Sequence, residues 1–205
     1  MKVAIIGAGN VGKALGPSLT RAGHDVTISA RTLESANAAA RETGAGSAES
    51  AAAAVTDASV IILAIPYQAE EAVAAEIADR VSGRTIIDVS NPIKPDASGL
   101  ATDTSAAEEL QRRLPDAHVV KAFNTVFASN QADPTVAGAP IDGYVAGDDG
   151  EAKRQVMSLA ESIGMKPLDV GPLSSARYLE GMAYVNIGLN AQNGWSWTSA
   201  WHLER

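Results

Sequence analysis

The opening fifteen residues constrain the fold of this chain more than any other stretch. The apolar run Val3–Ile6 leads into a glycine-rich turn, and an Ala- and Leu-containing segment, Lys13–Ala22, follows it. The turn consists of Gly7, Ala8, Gly9, Asn10, Val11 and Gly12. The order is therefore strand, turn and helix, with the G-x-G-x-x-G spacing typical of a dinucleotide site.

Each glycine of the turn has a separate physical task in such a site. Gly7 permits the tight turn, Gly9 lets a pyrophosphate approach the backbone, and Gly12 lets the helix pack closely on the strand. The unpaired N–H groups at the helix N-terminus attract phosphate oxygens. We therefore predict that all six residues of the turn contact a nucleotide; the alternative is a glycine turn that binds nothing.

Strand and helix patterns alternate along the whole chain. Strands are predicted at residues 2–7, 26–30, 60–65, 85–89, 118–123, 144–146 and 166–170. Helices are predicted at 10–22, 32–43, 69–81, 105–114, 150–163 and 173–192, with a small helix or loop at 47–54 and an irregular segment at 128–140. In the helix at 69–81, the side chains expected outside are Glu70, Glu71, Glu76, Asp79 and Arg80.

This alternation predicts an α/β fold with an open, doubly wound, mostly parallel sheet of the Rossmann type. We expect residues 1–172 to form the nucleotide-binding domain with additional strands, and residues 173–205 to add a short C-terminal helix and a tail that holds all three tryptophans. Ligands of such sheets bind at the carboxyl ends of the strands. The loops predicted to begin there start at Gly7, Ala30, Ile65, Ser90 and Asn124.

Composition excludes several other classes of site and partner. The chain has 205 residues, is 46% hydrophobic and contains no cysteine, so disulfides, thiolate metal sites and a cysteine nucleophile are excluded. Its three histidines lie far apart in sequence, and we expect no metal site. The net charge of −8 argues against nucleic-acid binding. No apolar run is long enough for a membrane span and Met1 leads directly into a predicted strand, so we expect a cytoplasmic protein.

The end of the second strand indicates which dinucleotide binds. An NAD site usually carries an acidic residue about 20 residues beyond the motif, whereas this chain has Ser29-Ala30-Arg31-Thr32 there. A guanidinium binds a 2′-phosphate in bidentate fashion, and the two hydroxyls can add donors. We therefore predict NADP(H), with Arg31 as the main selector. The alternative is a solvated surface arginine, and Glu34 close by could weaken the preference.

The sequence lacks a Ser-His-Asp set or a carboxylate pair, and we predict no catalytic acid or base. Hydride transfer between two stacked rings needs neither; it needs close, aligned rings. The loop residues expected to contact the dinucleotide are Ala64, Ile65, Pro66, Asn91, Pro92, Ala122 and Asn124. Pro66 and Pro92 either form the wall of a ring site or only end strands, and Asn124 either holds a carboxamide or ring carbonyl or caps a turn. Lys121 either binds an anionic ligand or is a surface or ion-pair residue.

Several segments, taken together, resemble NADPH-dependent coenzyme F420 reductases, also called F420H2:NADP oxidoreductases. They are Gly7–Lys13, Gly23–Val26 leading into Ser29–Arg31, Thr104–Glu108, Val145–Asp149 and Pro167–Arg177. The resemblance implies NADP on the Rossmann edge and the deazaflavin ring of F420 against the nicotinamide. It also implies direct hydride transfer between deazaflavin C5 and nicotinamide C4.

The segments Val120–Val126 and Leu173–Arg177 also resemble the cytosolic oxidoreductase domain of six-transmembrane metalloreductases, which pass electrons from NADPH through flavin. Asn124 stands where a histidine is common in the F420 enzymes, so FAD or FMN is an alternative second ring. The tail resembles the segment that closes over the deazaflavin. The residues that the resemblance places at the second ring are Asn124, Val126, Trp195, Trp197 and Thr198.

Three further expectations follow from the resemblance. Pro66, Asn124 and Val126 are expected to position the rings. A basic rim for the acidic tail of F420 has Lys94, Lys121 and Arg177 as candidates. The tryptophan tail stacks on a ring, packs the last helix against a second copy, or does both, and we expect a homodimer.

The rival functions are a non-catalytic NADPH sensor and an NADPH-dependent reductase of a small carbonyl or imine substrate.

Overall fold

Alternating strands and helices build one large sheet and its two covering layers in the computed structural model, which describes residues 1–204. The strands are β1 (Lys2–Ile6), β2 (Asp25–Ser29), β3 (Gly46–Ser47), β4 (Val60–Leu63), β5 (Thr85–Asp88), β6 (His118–Lys121), β7 (Thr135–Val136), β8 (Ala139–Pro140), β9 (Asp142–Gly147) and β10 (Lys166–Asp169). The helices are α1 (Asn10–Arg21), α2 (Leu33–Thr43), α3 (Ala51–Ala54), α4 (Glu70–Ile77), α5 (Ala106–Arg113), α6 (Ala128–Ala132), α7 (Gly150–Ser162) and α8 (Ala176–Asn193). Arg205, the last residue of the predicted C-terminal extension, lies outside the described residues.

The main sheet has the order β10-β9-β6-β5-β4-β1-β2-β3. Strand β1 pairs in parallel with both β2 and β4, and β4, β5 and β6 continue the parallel run. Only the β6–β9 pair of this sheet, within residues 1–204, is antiparallel. The prediction of a doubly wound, mostly parallel Rossmann sheet is therefore confirmed.

Successive residues of β1 point to opposite faces of the sheet, as the period of two in a strand requires. Val3 and Ile5 belong to one apolar cluster, with residues of α1, α2 and α7. Ala4 and Ile6 belong to a second cluster, with residues of α3, α4 and α5. Because both faces are covered, the central strands are largely apolar, as expected for a buried parallel sheet, and their charged residues, such as Asp88 of β5 and Lys121 of β6, lie at strand ends.

The segment predicted as irregular, residues 128–140, contains α6 and the small β7–β8 hairpin. Helix α1 packs against α6: the Ser18 hydroxyl donates to the carbonyl oxygens of Gln131 and Ala132 over 3.0 and 3.3 Å. The predicted helix at 69–81 is shorter than expected, since 3-10 turns at Tyr67–Ala69 and Ala78–Arg80 flank α4.

The prediction that Glu70 lies outside was wrong, because its side chain is only 1% exposed. Glu70, Ala74 and Ile77 form the buried stripe of α4, at the i, i+4 and i+7 spacing of one helical face. The carboxyl group therefore lies under the sheet edge, close to Asp88.

Helix α8 packs on the last strands of the sheet. Leu179 lies in a small apolar cluster with Tyr144 and Ala146 of β9. After α8 the chain turns back, and the Trp201 indole donates to the Met182 carbonyl oxygen over 3.2 Å. None of the helices within residues 1–204 is long and apolar enough to cross a membrane.

Candidate functional site

The glycine turn has a geometry that a side chain would destroy. Gly7 has a φ of +118°, and a Cβ atom there would lie 2.1 Å from the Ala64 carbonyl oxygen. A Cβ atom on Gly12 would lie 2.0 Å from the Gly7 carbonyl oxygen. Both positions therefore require glycine, because real Cβ atoms do not approach a backbone oxygen so closely. The loop Ala64–Pro66 adjoins this turn.

Gly9 lies in open space, in contrast to the other two glycines. A Cβ atom there would meet no atom within 4 Å. Gly9 is also the N-cap of α1, and no side chain caps that helix end. The first N–H groups of α1 are thus left for an external acceptor such as phosphate, at the positive end of a helix dipole.

The end of β2 presents polar groups beside this turn. The Gly7 N–H donates to the Ser29 carbonyl oxygen over 2.8 Å, while the buried Ser29 hydroxyl has no hydrogen-bond partner in the described part of the chain. Arg31 is exposed. The Thr32 hydroxyl caps α2: it accepts from the Ser35 N–H over 3.1 Å and donates to the Ser35 hydroxyl. A serine hydroxyl and a guanidinium are therefore available to an anion at this corner.

A cavity of about 140 Å³ opens where the carboxyl ends of β5 and β6 meet α1 and α8. Its walls are Val11, Val89, Asn91, Phe123, Asn124, Thr125, Val126, Phe127, Ala128, Gln131, Ala183, Asn186 and Ile187. Val11 belongs to the glycine motif, so the cavity and the glycine turn share a wall. The structure thus brings the predicted residues Val11, Asn91, Asn124 and Val126 together.

Two asparagines face each other at the cavity, across the ends of β5 and β6. The Asn124 amide nitrogen donates to the Asn91 side-chain oxygen over 2.9 Å. The Asn91 amide nitrogen donates in return to the Asn124 backbone carbonyl oxygen over 3.1 Å. The Asn124 side-chain oxygen is buried and has no partner within residues 1–204.

The loop after β6 has a strained start and a brace that sequence reasoning missed. Phe123 has a φ of +63°, which is unusual for a bulky residue. The buried Gln131 amide nitrogen donates to the carbonyl oxygens of Phe123 and Val126 over 3.1 and 3.0 Å. No pattern signals this role, because Gln131 lies in a segment without strand or helix periodicity.

Lys121 was predicted as an anion-binding residue or as a surface or ion-pair residue, and the structure shows a buried ion pair. Its ammonium is fully buried and lies 2.8 Å from carboxylate oxygens of both Asp88 and Glu180. It also donates to the Ser90 carbonyl oxygen over 2.6 Å. Burial alone would lower the pKa of Lys121, but the two carboxylates outweigh burial and raise it. The prediction of Lys121 in a basic rim was therefore wrong; Lys94 and Arg177 are exposed.

Glu70 lies next to this ion pair, and its surroundings favour the protonated carboxyl group. Burial raises the pKa of Glu70 to about 8, and the charge of Asp88 adds to the increase. The Ser90 hydroxyl, Lys121 and Arg113 oppose this effect. Burial also raises the pKa of Glu180, against the opposing charge of Lys121. The cluster of Glu70, Asp88, Lys121 and Glu180 was not predicted as a unit.

The tail covers the outer side of the cavity wall. The Trp197 ring packs edge-on against Phe127, with 5.5 Å between the ring centroids and an interplanar angle of 84°. The Ser129 hydroxyl donates to the Trp197 carbonyl oxygen over 2.7 Å, and the Asn130 amide donates to the Thr198 carbonyl oxygen over 2.9 Å. Trp195 is about half exposed. Trp197 thus contacts the cavity wall at Phe127, and none of the three tryptophans lines the cavity itself.

Several known proteins that resemble this chain in sequence or shape carry the name F420-dependent NADP reductase. The family model of NADP oxidoreductases that depend on coenzyme F420 matches residues 2–92. The F420-dependent NADP reductase of Methanothermobacter marburgensis is 34% identical, over 94% of each chain. The metalloreductase STEAP3 of Rattus norvegicus is 32% identical over 87% of this chain, which corresponds to only 36% of that protein. A crystal structure from Arthrobacter sp. FB24, provisionally named an F420-dependent NADP reductase, superimposes with a TM-score of 0.90, at 27% identity and full coverage of both chains.

Proposed function

The chain belongs to the family of F420-dependent NADP reductases, and we propose that it catalyses hydride transfer between NADP(H) and the deazaflavin ring of coenzyme F420. When bound, the two rings supply the chemistry, with the hydride moving between nicotinamide C4 and deazaflavin C5. The observation that carries the proposal is the wall shared by the glycine turn and the cavity at Val11. A dinucleotide held by the turn would thereby present its ring to the cavity.

The residues at the turn fit the phosphorylated dinucleotide. The residues proposed to contact the pyrophosphate and ribose are Gly7, Ala8, Gly9, Asn10, Val11 and Gly12. The open space at Gly9 and the uncapped end of α1 support this placement. Ser29 and Arg31 bind the 2′-phosphate: the Ser29 hydroxyl has no partner in the described part of the chain, and the exposed Arg31 follows two residues later. Thr32 contributes by capping α2 at the same corner.

The cavity positions the two rings. The residues proposed to form the nicotinamide side are Ala64, Ile65, Pro66, Asn91, Pro92, Ala122 and Asn124. Asn124 and Val126 face the second ring, and Phe127 with Trp197 closes the outer side. Hydride transfer needs alignment of the two rings, and the proton that F420 takes up along with the hydride would come from solvent.

An absorbance assay tests the proposal directly. The protein is mixed with NADPH and F420, and the bands of both cofactors are followed; parallel reactions contain FMN, FAD or NADH. We expect NADPH oxidation to be coupled to F420 reduction and to be faster with F420 than with either flavin. Oxidation with the flavins alone would favour the metalloreductase-like second ring. NADPH binding without oxidation by any acceptor would favour the sensor.

We also propose that the protein forms a homodimer through α8 and that residues 173–205 act as an extension of the domain 1–172. The support is an apolar stripe on α8: Tyr178, Val185 and Leu189 are 73%, 48% and 38% exposed and recur at helical spacing. Exposed apolar stripes of this kind mark interaction sites. Light scattering during size-exclusion chromatography would measure twice the chain mass for the wild type and the monomer mass for Leu189→Glu.

A further inference from the structure

The orientation of the Asn124 side chain is set by its neighbour Asn91. The Asn91 amide nitrogen must donate to the Asn124 backbone carbonyl oxygen, which can only accept. This leaves the Asn91 side-chain oxygen facing Asn124, where it accepts from the amide nitrogen. Turning either amide over would place two oxygen acceptors against each other. One backbone carbonyl therefore determines the orientation of both side chains.

The outcome is that an acceptor is left over at the cavity. The Asn124 side-chain oxygen is buried and unpartnered within the described residues, and Asn124 is one of the cavity walls. The Gln131 side-chain oxygen is also buried and unpartnered within the described residues, and Gln131 also lines the cavity. Its orientation is fixed, because the Gln131 amide nitrogen donates to two carbonyl groups. A buried acceptor without a donor is destabilising until one arrives.

A ligand that fits this wall therefore brings a hydrogen-bond donor, and the donors on the two ring systems are N–H groups. We infer that Asn91 is a positioning residue that fixes the Asn124 side-chain oxygen as an acceptor, and that the cavity selects its ring ligands by an amide or imide N–H group. This inference rests on the proposed function, since it concerns the ring site of that reaction. Two groups carry this chemistry: the carboxamide of the nicotinamide and the imide of the deazaflavin.

Pairs of substrates that differ in the N–H group test the inference. The first pair is NADPH and its 3-acetylpyridine analogue, in which a methyl ketone replaces the carboxamide. The second pair is F420 and its N3-methyl derivative. The kcat/KM ratio within each pair is measured for the wild-type full chain and compared with the ratio in each variant, which cancels intrinsic differences in reactivity between the analogues.

Two substitutions of Asn91 separate orientation from structure. Asn91→Leu removes the acceptor that holds Asn124, so the Asn124 amide can turn; we expect the preference for the N–H member of at least one pair to fall roughly tenfold or more. Asn91→Asp keeps an acceptor for the Asn124 amide but loses the donor to the Asn124 backbone carbonyl oxygen, so we expect the preference to fall clearly less than in Asn91→Leu. A lower kcat/KM ratio in the dinucleotide pair identifies the carboxamide as the source of the N–H group. A lower ratio in the F420 pair identifies the imide.

Ser18→Ala is the matched structural control. It removes the hydroxyl that ties α1 to Gln131 and Ala132 and loosens the same loop without touching the asparagine pair. We expect it to lower the rate with both members of a pair equally. If Asn91→Leu does the same and leaves both ratios unchanged, the inference is overturned. If the N3-methyl group of the F420 derivative clashes with the cavity, the clash is present in the wild type and in Asn91→Leu alike. Such a clash would leave the kcat/KM ratio of the pair unchanged, so it cannot be mistaken for the expected fall.

Failure of the proposed function gives a different signature. A wild type that oxidises no NADPH would contradict the hydride-transfer proposal, but calorimetric dissociation constants of NADP and its acetylpyridine analogue would still report on the carboxamide. Equal affinities for the two dinucleotides, unchanged in Asn91→Leu, would then count against the inference. A wild-type preference for NADP that disappears in Asn91→Leu and persists in Asn91→Asp would support it.

Discussion

Replacing Glu70 by glutamine should make the protein more stable in alkaline solution. The substitution keeps the volume of the side chain and removes its ability to ionise. Burial and the charge of Asp88 raise the pKa of Glu70 from 4.5 to about 8 in the folded protein. At about 1.4 kcal/mol for each pKa unit, this increase corresponds to on the order of 4–5 kcal/mol of difference between the protonated and ionised carboxyl.

The sign follows from the direction of that change. A carboxyl with a higher pKa in the folded state than in the unfolded state stabilises the fold below pH 4.5, and this contribution is lost as the pH rises to about 8. Above that pH the wild type must bury a carboxylate beside Asp88, whereas Glu70→Gln does not. We therefore expect the variant to match the wild type near pH 5 and to exceed it at pH 9 by several kcal/mol, on the order of 3–4.

Urea unfolding followed by circular dichroism at pH 5, 7 and 9 measures the difference. The matched control is Glu71→Gln, which changes the next residue of α4; Glu71 is exposed, and we expect an effect within about 0.5 kcal/mol at each pH. Constant stability differences between Glu70→Gln and the wild type from pH 5 to pH 9 would refute the reasoning, because they would show that Glu70 ionises in the folded protein as it does in the unfolded chain.

Three further predictions address the nucleotide site and the buried ion pair. Arg31→Ala should lower kcat/KM for NADPH by roughly 10- to 100-fold and leave NADH unchanged, because a charge-assisted contact to the 2′-phosphate is lost; equal losses with both would contradict the role. Gly12→Ala should abolish NADPH binding in a fluorescence titration, since its Cβ would lie 2.0 Å from the Gly7 carbonyl oxygen, and normal affinity would be the contrary result. Lys121→Met should cost about 3–5 kcal/mol in urea unfolding at pH 7, because two buried carboxylates lose their cation; a loss below about 1 kcal/mol would show that Asp88 and Glu180 do not need it.

The sequence predicted what depends on local pattern. The glycine spacing, the apolar strands and the helix stops gave the order of elements, because these signals lie within a few residues of one another. Glu70 could have been placed correctly too, since it shares a helical stripe with Ala74 and Ile77. The position of a charged residue on such a stripe indicates that its side chain is buried, whereas its residue type alone indicates that it is exposed.

Contacts between distant segments could not be predicted in this way. The ion pair of Lys121 joins β5, β6 and α8, and nothing near Lys121 in sequence identifies Glu180 as its partner. The Asn91–Asn124 pair likewise depends on the neighbouring positions of β5 and β6, which fix the two loops side by side. Such pairs become visible only when strand order is known.

The two buried pairs act on the same strand ends. Strand β5 ends at Asp88 and strand β6 at Lys121, the two residues of the ion pair. Asn91 and Asn124 follow in the loops after these strand ends, so the asparagine pair comes soon after the ion pair on both strands. Glu180 attaches α8 to this point, and α8 contributes Asn186 to the cavity. A buried ion pair is weak evidence for stability, but here it connects β5, β6 and α8, three of the elements that meet at the cavity. Its consequence is positional: it holds the C-terminal helix against the strand ends, so the ring site depends on α8 as well as on the sheet.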